Sequence, residues 1–542
     1  MKSNPAEFLT STPNSGLCRS WFEALTMSTT HRFWRFVEIG VDPYLTEYRY
    51  DVTTTLSDIR AKYSYLEKGG EAKERFSVAG RIMGIRRHGK IVFAVLDDGT
   101  AKLQIVFRHD VLGDAIWRLV ELLNVGDLVG VRGRPIKTLR GELSLLVEEF
   151  KVLAITWRDF PEKWHGLADS EKRYRMRYLD MMLNEDVRKA IISMYKIEKA
   201  FRDFLDSRGF VEIHTPKLQA VYGGALARPF ITRMYALDRD VYLSIAPETY
   251  LKRAVVANLF KVYEIAVCFR NEDIDAQHYP EFVQIEIYQA FSDWLDMMKL
   301  VEEMISSAIK TVYGDYKIEV SRGEEKVVLD FNPPWTRITI EDAIEKFGDI
   351  KIKGKDYNEL IEIAKSLDIK IDDPRRGKII EKIFEKVAEP KIVQPTFITM
   401  FPRDVSPLAR PSRENPEYAE RFEIFINGLE VGNGYSELNN PIVQYYFFKK
   451  EEELRIKSKE KFGEIEHHPM DKDYVRALEY GMPPTAGVGI GIYRLVMILH
   501  SLPSIKDVIP FTIVEQDDFK TIAEQYNDIL NYYVDRLKLD KI

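Results

Sequence analysis

Two charged residues two apart, Arg270 and Glu272, open the stretch FRNEDIDAQHYPEFVQIEIYQAF, from Phe269 to Phe291. His278, Pro280 and Glu281 follow in a loop, and the chain then alternates through Phe282, Gln284, Glu286 and Tyr288. Two strands joined by such a loop aim Arg270, Glu272, Glu286 and Tyr288 at one pocket. An arginine fork grips phosphate oxygens in two places. Buried carboxylates, in turn, demand a cationic partner. The pair of charges suits a nucleotide phosphate and a cationic amino acid together. Taken alone, an RxE pair is as readily a surface ion pair.

Three further sets could join that pocket. Glu430 and Glu437 in LEVGNGYSELNN are seven apart, an odd spacing that would put them on opposite faces of a regular strand. Gly432, Asn433 and Gly434 lie between them and allow a bulge or turn that resets the face. Two converging carboxylates would suit a hard divalent cation bridging phosphates, or else they decorate a solvated hairpin. The tract GVGIGIYRL from Gly487 lacks the GK[ST] of a Walker loop and the setting of a dinucleotide fingerprint. Its alternate glycines suit a strand approached closely by another group, and Arg494 then opens a helix, where anions are favoured. Glu248 in LSIAPETY adds a third acid to Glu286 and Tyr288, with helix capping as its plainer role.

The elements that must position these residues fall into segments. Residues 1–30 are expected as an extension without fixed structure, with Met27 a possible true start. Residues 31–74 read as helical and charged, with Phe33, Phe36 and Val37, then Ile59, Tyr63 and Leu66, at helical spacing. Residues 75–157 switch to five short alternating strands, with one helix over Leu112–Leu123 between the third and fourth. That is the pattern of the OB-fold, a small Greek-key β-barrel that binds single-stranded nucleic acid. Residues 158–185 read as a linker containing Pro161, Trp164 and the basic tract KRYRMRYLD. In 186–542, a helix over Lys189–Arg208 precedes mostly antiparallel strands bracketed by helices, with an α-rich insertion around 340–390. This predicts an α+β catalytic domain. In the first helix Ile192, Met194, Tyr195, Ile197 and Phe201 form the expected apolar face.

A length of 542 residues implies two or three domains. No apolar run is long enough to span a bilayer. The two cysteines, Cys18 and Cys268, cannot build a disulfide framework, and a cytoplasmic setting is expected. The net charge of -7 argues against a wholly basic nucleic-acid coat but leaves local basic patches open.

These landmarks together resemble the class II aminoacyl-tRNA synthetases, and within them the lysyl-tRNA synthetases, from about His31 to Phe511. The resemblance rests on KRYRMRYLD at Lys172, GFVEIHTPKLQ at Gly209, GGALARPF at Gly223, LSIAPETYLKR at Leu243 and FRNE at Phe269. VSPLAR at Val405, NGLEVGNGYSELNNP at Asn427 and PPTAGVGIGI at Pro483 complete it. It implies an antiparallel-sheet catalytic domain behind an N-terminal OB-fold barrel, and a homodimer through the segment around Pro216. It implies activation of L-lysine by ATP and transfer to the 3' end of tRNA(Lys), with Mg²⁺ as cofactor. Arg270 would hold the α-phosphate and Arg494 the γ-phosphate. Glu272 and His278 would lie near the adenine and phosphates, Phe282 would stack on adenine, and Glu430 and Glu437 would bind the metal. Gly224, Glu248, Tyr288 and Asn439 would contact lysine, with Glu286 close by. Arg81, Phe93 and Gln104 would read the anticodon.

Two positions depart from the family's habit. Tyr493 replaces an acid before Arg494, and Asn440 replaces a frequent aspartate. An aspartyl- or asparaginyl-type synthetase is the enzyme alternative, and it would need a cationic residue in the amino-acid pocket. A catalytically weakened, RNA-binding or regulatory relative is the other, and Tyr493 is its only support.

Overall fold

The computed structural model describes residues 29–160, 169–462, 468–514 and 521–539. Almost all of the expected N-terminal extension, and Pro161 and Trp164 of the expected linker, lie outside these residues. The described residues form two compact units, one from 29–160 with 521–539 and one from 169–514.

In the first unit, α1 (Thr29–Glu38) and α2 (Leu56–Tyr63) precede β1 (Phe76–His88), β2 (Ile91–Asp97) and β3 (Lys102–Arg108). Next come α3 (His109–Leu122), β4 (Leu128–Lys137) and β5 (Leu143–Ala154). Thr55 caps α2 in a reciprocal capping box with Asp58, which satisfies amides the first turn leaves unpaired. The strands bond in the order β1-β2-β3-β5-β4, and β4 pairs back to β1, closing the barrel. Alternation puts Val92, Ala94 and Leu96 of β2 inside and turns Phe93 outward. Phe33, Phe36, Ile59 and Tyr63 are buried in the same core, as their helical spacing predicts.

The second unit begins earlier than expected. Its first helices, α4 (Ser170–Arg175) and α5 (Arg177–Leu183), occupy the expected linker. They are fastened by buried charge: Arg173 pairs with Asp180 and Asp507, and Arg177 lies 2.6 Å from Asp180. Then come α6 (Glu185–Asp206), β6 (Val211–Glu212), β7 (Leu218–Gln219), β8 (Ile231–Met234), β9 (Arg239–Leu243) and α7 (Glu248–Val256). The central strands β10 (Lys261–Phe269) and β11 (Glu281–Ala290) lead to α8 (Trp294–Tyr313), the hairpin β12 (Lys317–Arg322) and β13 (Glu325–Asp330), and β14 (Thr336–Thr339). The α-rich insertion is α9 (Ile340–Gly348), α10 (Tyr357–Ser366) and α11 (Arg376–Val387). The chain returns to the sheet with β15 (Thr396–Thr399), β16 (Arg421–Ile426) and β17 (Leu429–Ser436). It continues through α12 (Pro441–Phe462), α13 (Lys472–Glu479), β18 (Thr485–Gly491) and α14 (Ile492–Leu499).

Eight strands form one sheet in the order β14-β15-β16-β17-β18-β11-β10-β6. It is antiparallel except at its two edges, where β6 runs parallel to β10 and β14 to β15. One face packs on α6, α8 and α14 through Met194, Ile197, Met298, Ile285, Ile287, Val488 and Leu495. With a period of two, Gln284, Glu286 and Tyr288 then point to the opposite face. Ile192 and Tyr195 do not join the core; both are about half exposed, because they sit off the buried stripe of α6.

The expected catalytic span of 186–542 is also cut at its far end. The helices α15 (Ile522–Gln525) and α16 (Asn527–Leu537) belong to the barrel unit. Ile529 enters its core, Asp528 accepts from the Trp34 indole, and the hydroxyls of Tyr532 and Tyr533 donate to Asp42.

Candidate active site

The loop between β10 and β11 is closed at its base, where the Arg270 amide donates to the Pro280 carbonyl at 2.8 Å. Asp275 stiffens its tip by accepting from the Gln277 and His278 amides and by holding His278 Nδ1 at 2.8 Å. A cavity of about 530 Å³ opens beside it on the free face of the sheet. Arg270, Glu272, His278, Phe282, Glu286, Tyr288, Gly224, Glu248, Glu430, Glu437 and Arg494 all line it.

At one end two arginines line the cavity. The Arg270 guanidinium lies 4.9 Å over the Phe282 ring, and its buried Nε has no hydrogen-bond partner. It forms no ion pair with Glu272, which instead accepts from the Arg228 amide. Arg494, in the first turn of α14, donates to the Glu430 carbonyl at 2.9 Å and to its carboxylate at 3.2 Å. Its other nitrogen lies 3.0 Å from His278 Nε2. The arginine is thus held without an acid at position 493. Tyr493 itself is buried, and burial pushes its hydroxyl well up from the ordinary tyrosine value.

Glu430 and Glu437 do share a face, for the reason their odd spacing demands. Gly432 pairs with Ile424 and Glu430 with Phe425, so Val431 is an extra residue that flips the strand by one. Their ion-pair partners differ. Glu430 sits with Arg494, whereas Glu437 sits with Lys252. An acid that interacts with Glu430 is Glu423, on the neighbouring strand β16, which also lines the cavity. Its carboxyl is pushed up by burial, pulled back by Arg421 2.5 Å away, and raised again by Glu430. Two mutually repelling acids, one of them paired with Arg421, are a donor set that would suit a divalent ion. The Asn427-Gly428 turn, both residues with positive φ, is the sequence signal that sets Glu423 and Glu430 on adjacent strands.

The other end is acidic and closed. Glu248 opens α7 and accepts from the Tyr435 hydroxyl at 2.5 Å. Glu286 accepts from the Gln284 amide at 2.7 Å and the Tyr288 hydroxyl at 3.0 Å. Burial first, and then Glu248, raise the Glu286 carboxyl well above the usual carboxylate range. Glu437 is raised in the same way, against the pull of Lys252. The space between them depends on glycine. A Cβ on Gly224, where φ is +90°, would lie 2.7 Å from Glu248 Cβ. One on Gly487 would lie 2.3 Å from Glu437 Oε1. Asn439 stands outside the lining: it accepts from Arg410 and donates to the Met482 carbonyl, both at 2.9 Å. Asn440 accepts from the amides of Ile442 and Val443 at the start of α12, a role aspartate performs equally well.

On the barrel, Phe93 and Gln104 share a face, since Phe93 pairs with Val106 and Val95 with Gln104. Arg81 is not with them. It lies five residues along β1 from the arginine opposite Phe93 and donates to the Gly126 carbonyl. That arginine is Arg86, which donates to Gln104 at 3.2 Å. The register of β1 against β2, invisible before pairing is known, decides between the two.

Comparison with known proteins agrees with this geometry. Residues 169–515 match the family described as tRNA synthetases class II (D, K and N), and residues 76–153 match the OB-fold nucleic acid binding domain. The chain belongs to the class II tRNA synthetases of the D, K and N group. It is similar to the lysine–tRNA ligase of Thermosipho africanus (strain TCF52B), 42% identical over 89% of this chain and 94% of the relative. It is similar too to the lysine–tRNA ligases of Moorella thermoacetica, 44% identical over 88% and 94%, and Syntrophomonas wolfei subsp. wolfei, 44% over 88% and 93%.

Proposed function

We propose that this chain is a lysyl-tRNA synthetase, which activates L-lysine with ATP and transfers it to the 3' end of tRNA(Lys). One observation carries the choice of amino acid: three buried carboxylates, Glu248, Glu286 and Glu437, enclose one end of the cavity. An aspartyl- or asparaginyl-type pocket would need a cation there for a side-chain carboxylate or amide, and the acids argue against it. The lysine ammonium groups go to the acids, and its carboxylate faces the arginines.

A lysine carboxylate oxygen then attacks the α-phosphorus, the bond to the bridging oxygen breaks, and pyrophosphate leaves with that electron pair. No proton moves, so positioning and charge neutralisation supply the catalysis. Arg270, free of any acid partner among the described residues, takes the α-phosphate. Arg494, oriented by Glu430 and His278, takes the γ-phosphate. Phe282 offers its ring to adenine, with Glu272 beside it. Mg²⁺ would be held by Glu423 and Glu430 and would offset phosphate charge. In the second step a terminal ribose hydroxyl of tRNA attacks the lysyl carbonyl and displaces AMP.

The outward face with Phe93, Gln104 and Arg86 suits stacking and edge reading of unpaired anticodon bases. Val211 and Leu218, exposed on either side of Pro216 in the chain, and the exposed Ile192 and Tyr195 of α6 suit a homodimer contact. No described helix is long and apolar enough to cross a membrane, and we assign the protein to the cytoplasm. ATP–pyrophosphate exchange with each of the amino acids in turn tests the function. Lysine-dependent exchange is expected; exchange supported by aspartate or asparagine, or by none, refutes it. Sedimentation of the purified protein tests the dimer.

A further inference from the structure

Behind the three carboxylates lies a group that does not line the cavity. Lys252, one turn into α7, is fully buried. Its Nζ is 2.5 Å from Glu248 Oε1 and in closer contact still with Glu437 Oε2. The rings of Tyr435 and Tyr474 lie 5.2 and 6.0 Å from it. Burial works against its charge, but Glu248 and Glu437 outweigh burial and raise it above the ordinary lysine value. Lys252 is thus held as an ammonium between two carboxylates.

Two consequences follow for the cavity. The first is electrostatic. Glu248, Glu286 and Glu437 are three buried carboxyls facing one buried ammonium, and the upward push on Glu286 and Glu437 is relieved by a cationic ligand. The second is orientation. Lys252 and Tyr435 both take Oε1 of Glu248, and Lys252 takes Oε2 of Glu437. Neither Glu437 oxygen has a hydrogen-bond partner, but only Oε2 is in ion-pair contact with Lys252, and Oε1 lies at the spot where Gly487 keeps space open.

We propose that Lys252 is a specificity-determining positioning residue: it ties Glu248 to Glu437 and sets which oxygen each presents to the bound amino acid. This deepens the lysine reading above and rests on it. The test uses the full-length protein in ATP–pyrophosphate exchange, with lysine and with ornithine, which keeps both ammonium groups but is one methylene shorter. In Lys252→Met the KM for lysine is expected to rise about 30-fold or more, because an uncompensated buried charge replaces a pair. The KM for ATP stays within about twofold, and the preference for lysine over ornithine falls about tenfold, since Glu437 is no longer held in place. In Lys252→Ala, added propylammonium lowers the lysine KM, and tetramethylammonium at equal ionic strength does not. Lys252→Gln keeps a donor in the site and is read in the same way if Lys252→Met does not fold.

An unchanged lysine KM overturns the proposal. So does a loss that falls on ATP and lysine alike, with the lysine-to-ornithine ratio kept and no rescue by amine. Absence of lysine-dependent exchange in the unaltered protein is a different failure, that of the lysine reading itself.

Discussion

Gly487→Ala tests the amino-acid end of the cavity with a single methyl group. The backbone there has no positive φ, so alanine is tolerated by the chain itself. The added Cβ, however, would lie 2.3 Å from Glu437 Oε1 and 2.4 Å from the Tyr288 ring. Both neighbours are buried, and the ring has little freedom to retreat. Overpacking of this kind costs about 1–3 kcal/mol. Borne by the bound lysine, that is roughly a 5- to 150-fold rise in KM. ATP binds at the other end, so its KM stays within about twofold in the same exchange assay. The strand carries its own control. A Cβ on Gly491 meets nothing nearer than 3.8 Å, and Gly491→Ala is expected to behave like the unaltered protein. Equal lysine KM values for the two alanine variants would refute the assignment of Glu437 and Tyr288 to the amino-acid pocket.

Other outcomes are equally definite. Phe93→Ala is expected to lower tRNA charging by about tenfold or more and to spare exchange, since stacking is worth about 1–3 kcal/mol per base; equal loss of both would refute an anticodon role. Glu423→Gln should raise the Mg²⁺ concentration needed for half-maximal exchange and leave the lysine KM alone, whereas an unchanged Mg²⁺ dependence would return the metal to Glu430 without this partner. His500 makes stability sensitive to acid. Burial first depresses its pKa below the ordinary histidine value, while Asp186 pulls the other way. Its contribution is therefore present above the unfolded pKa and lost as pH falls through the lower folded one. The melting temperature should drop between about pH 7 and pH 5, and His500→Gln should flatten that drop; an identical slope in the variant would remove His500 as the cause.

Much of this was legible before any coordinates. The barrel strands announced themselves by alternation, and the Arg270 stretch by charges set on either side of a loop. The bulge between Glu430 and Glu437 is allowed by the glycines between them, and their odd spacing makes it the condition for a shared face. What parity cannot supply is which acid lies across the Asn427-Gly428 turn, so the proposal of Glu423 as a metal ligand comes from strand pairing. Lys252 was hidden for a different reason. With Glu248 four residues before it, it reads as an ordinary surface ion pair on a helix, and Glu437 is far away in the chain. Only burial separates the two meanings. Arg81 and Arg86 both suit a nucleic-acid face, and strand register chooses between them.

The return of α16 to the barrel unit bears on how the protein is made. Residues 169–514 are inserted between two parts of one folded body. Domains commonly fold as they leave the ribosome, N-terminal first. Here the first unit synthesised is also the last completed. Asp42 waits for the hydroxyls of Tyr532 and Tyr533, and Phe33 for their rings, through the synthesis of the whole catalytic unit. A ribosome that stops short of Asn527 releases a catalytic unit with every cavity residue present beside a barrel that still exposes an aromatic surface. Such a chain offers quality control a target that an intact molecule conceals.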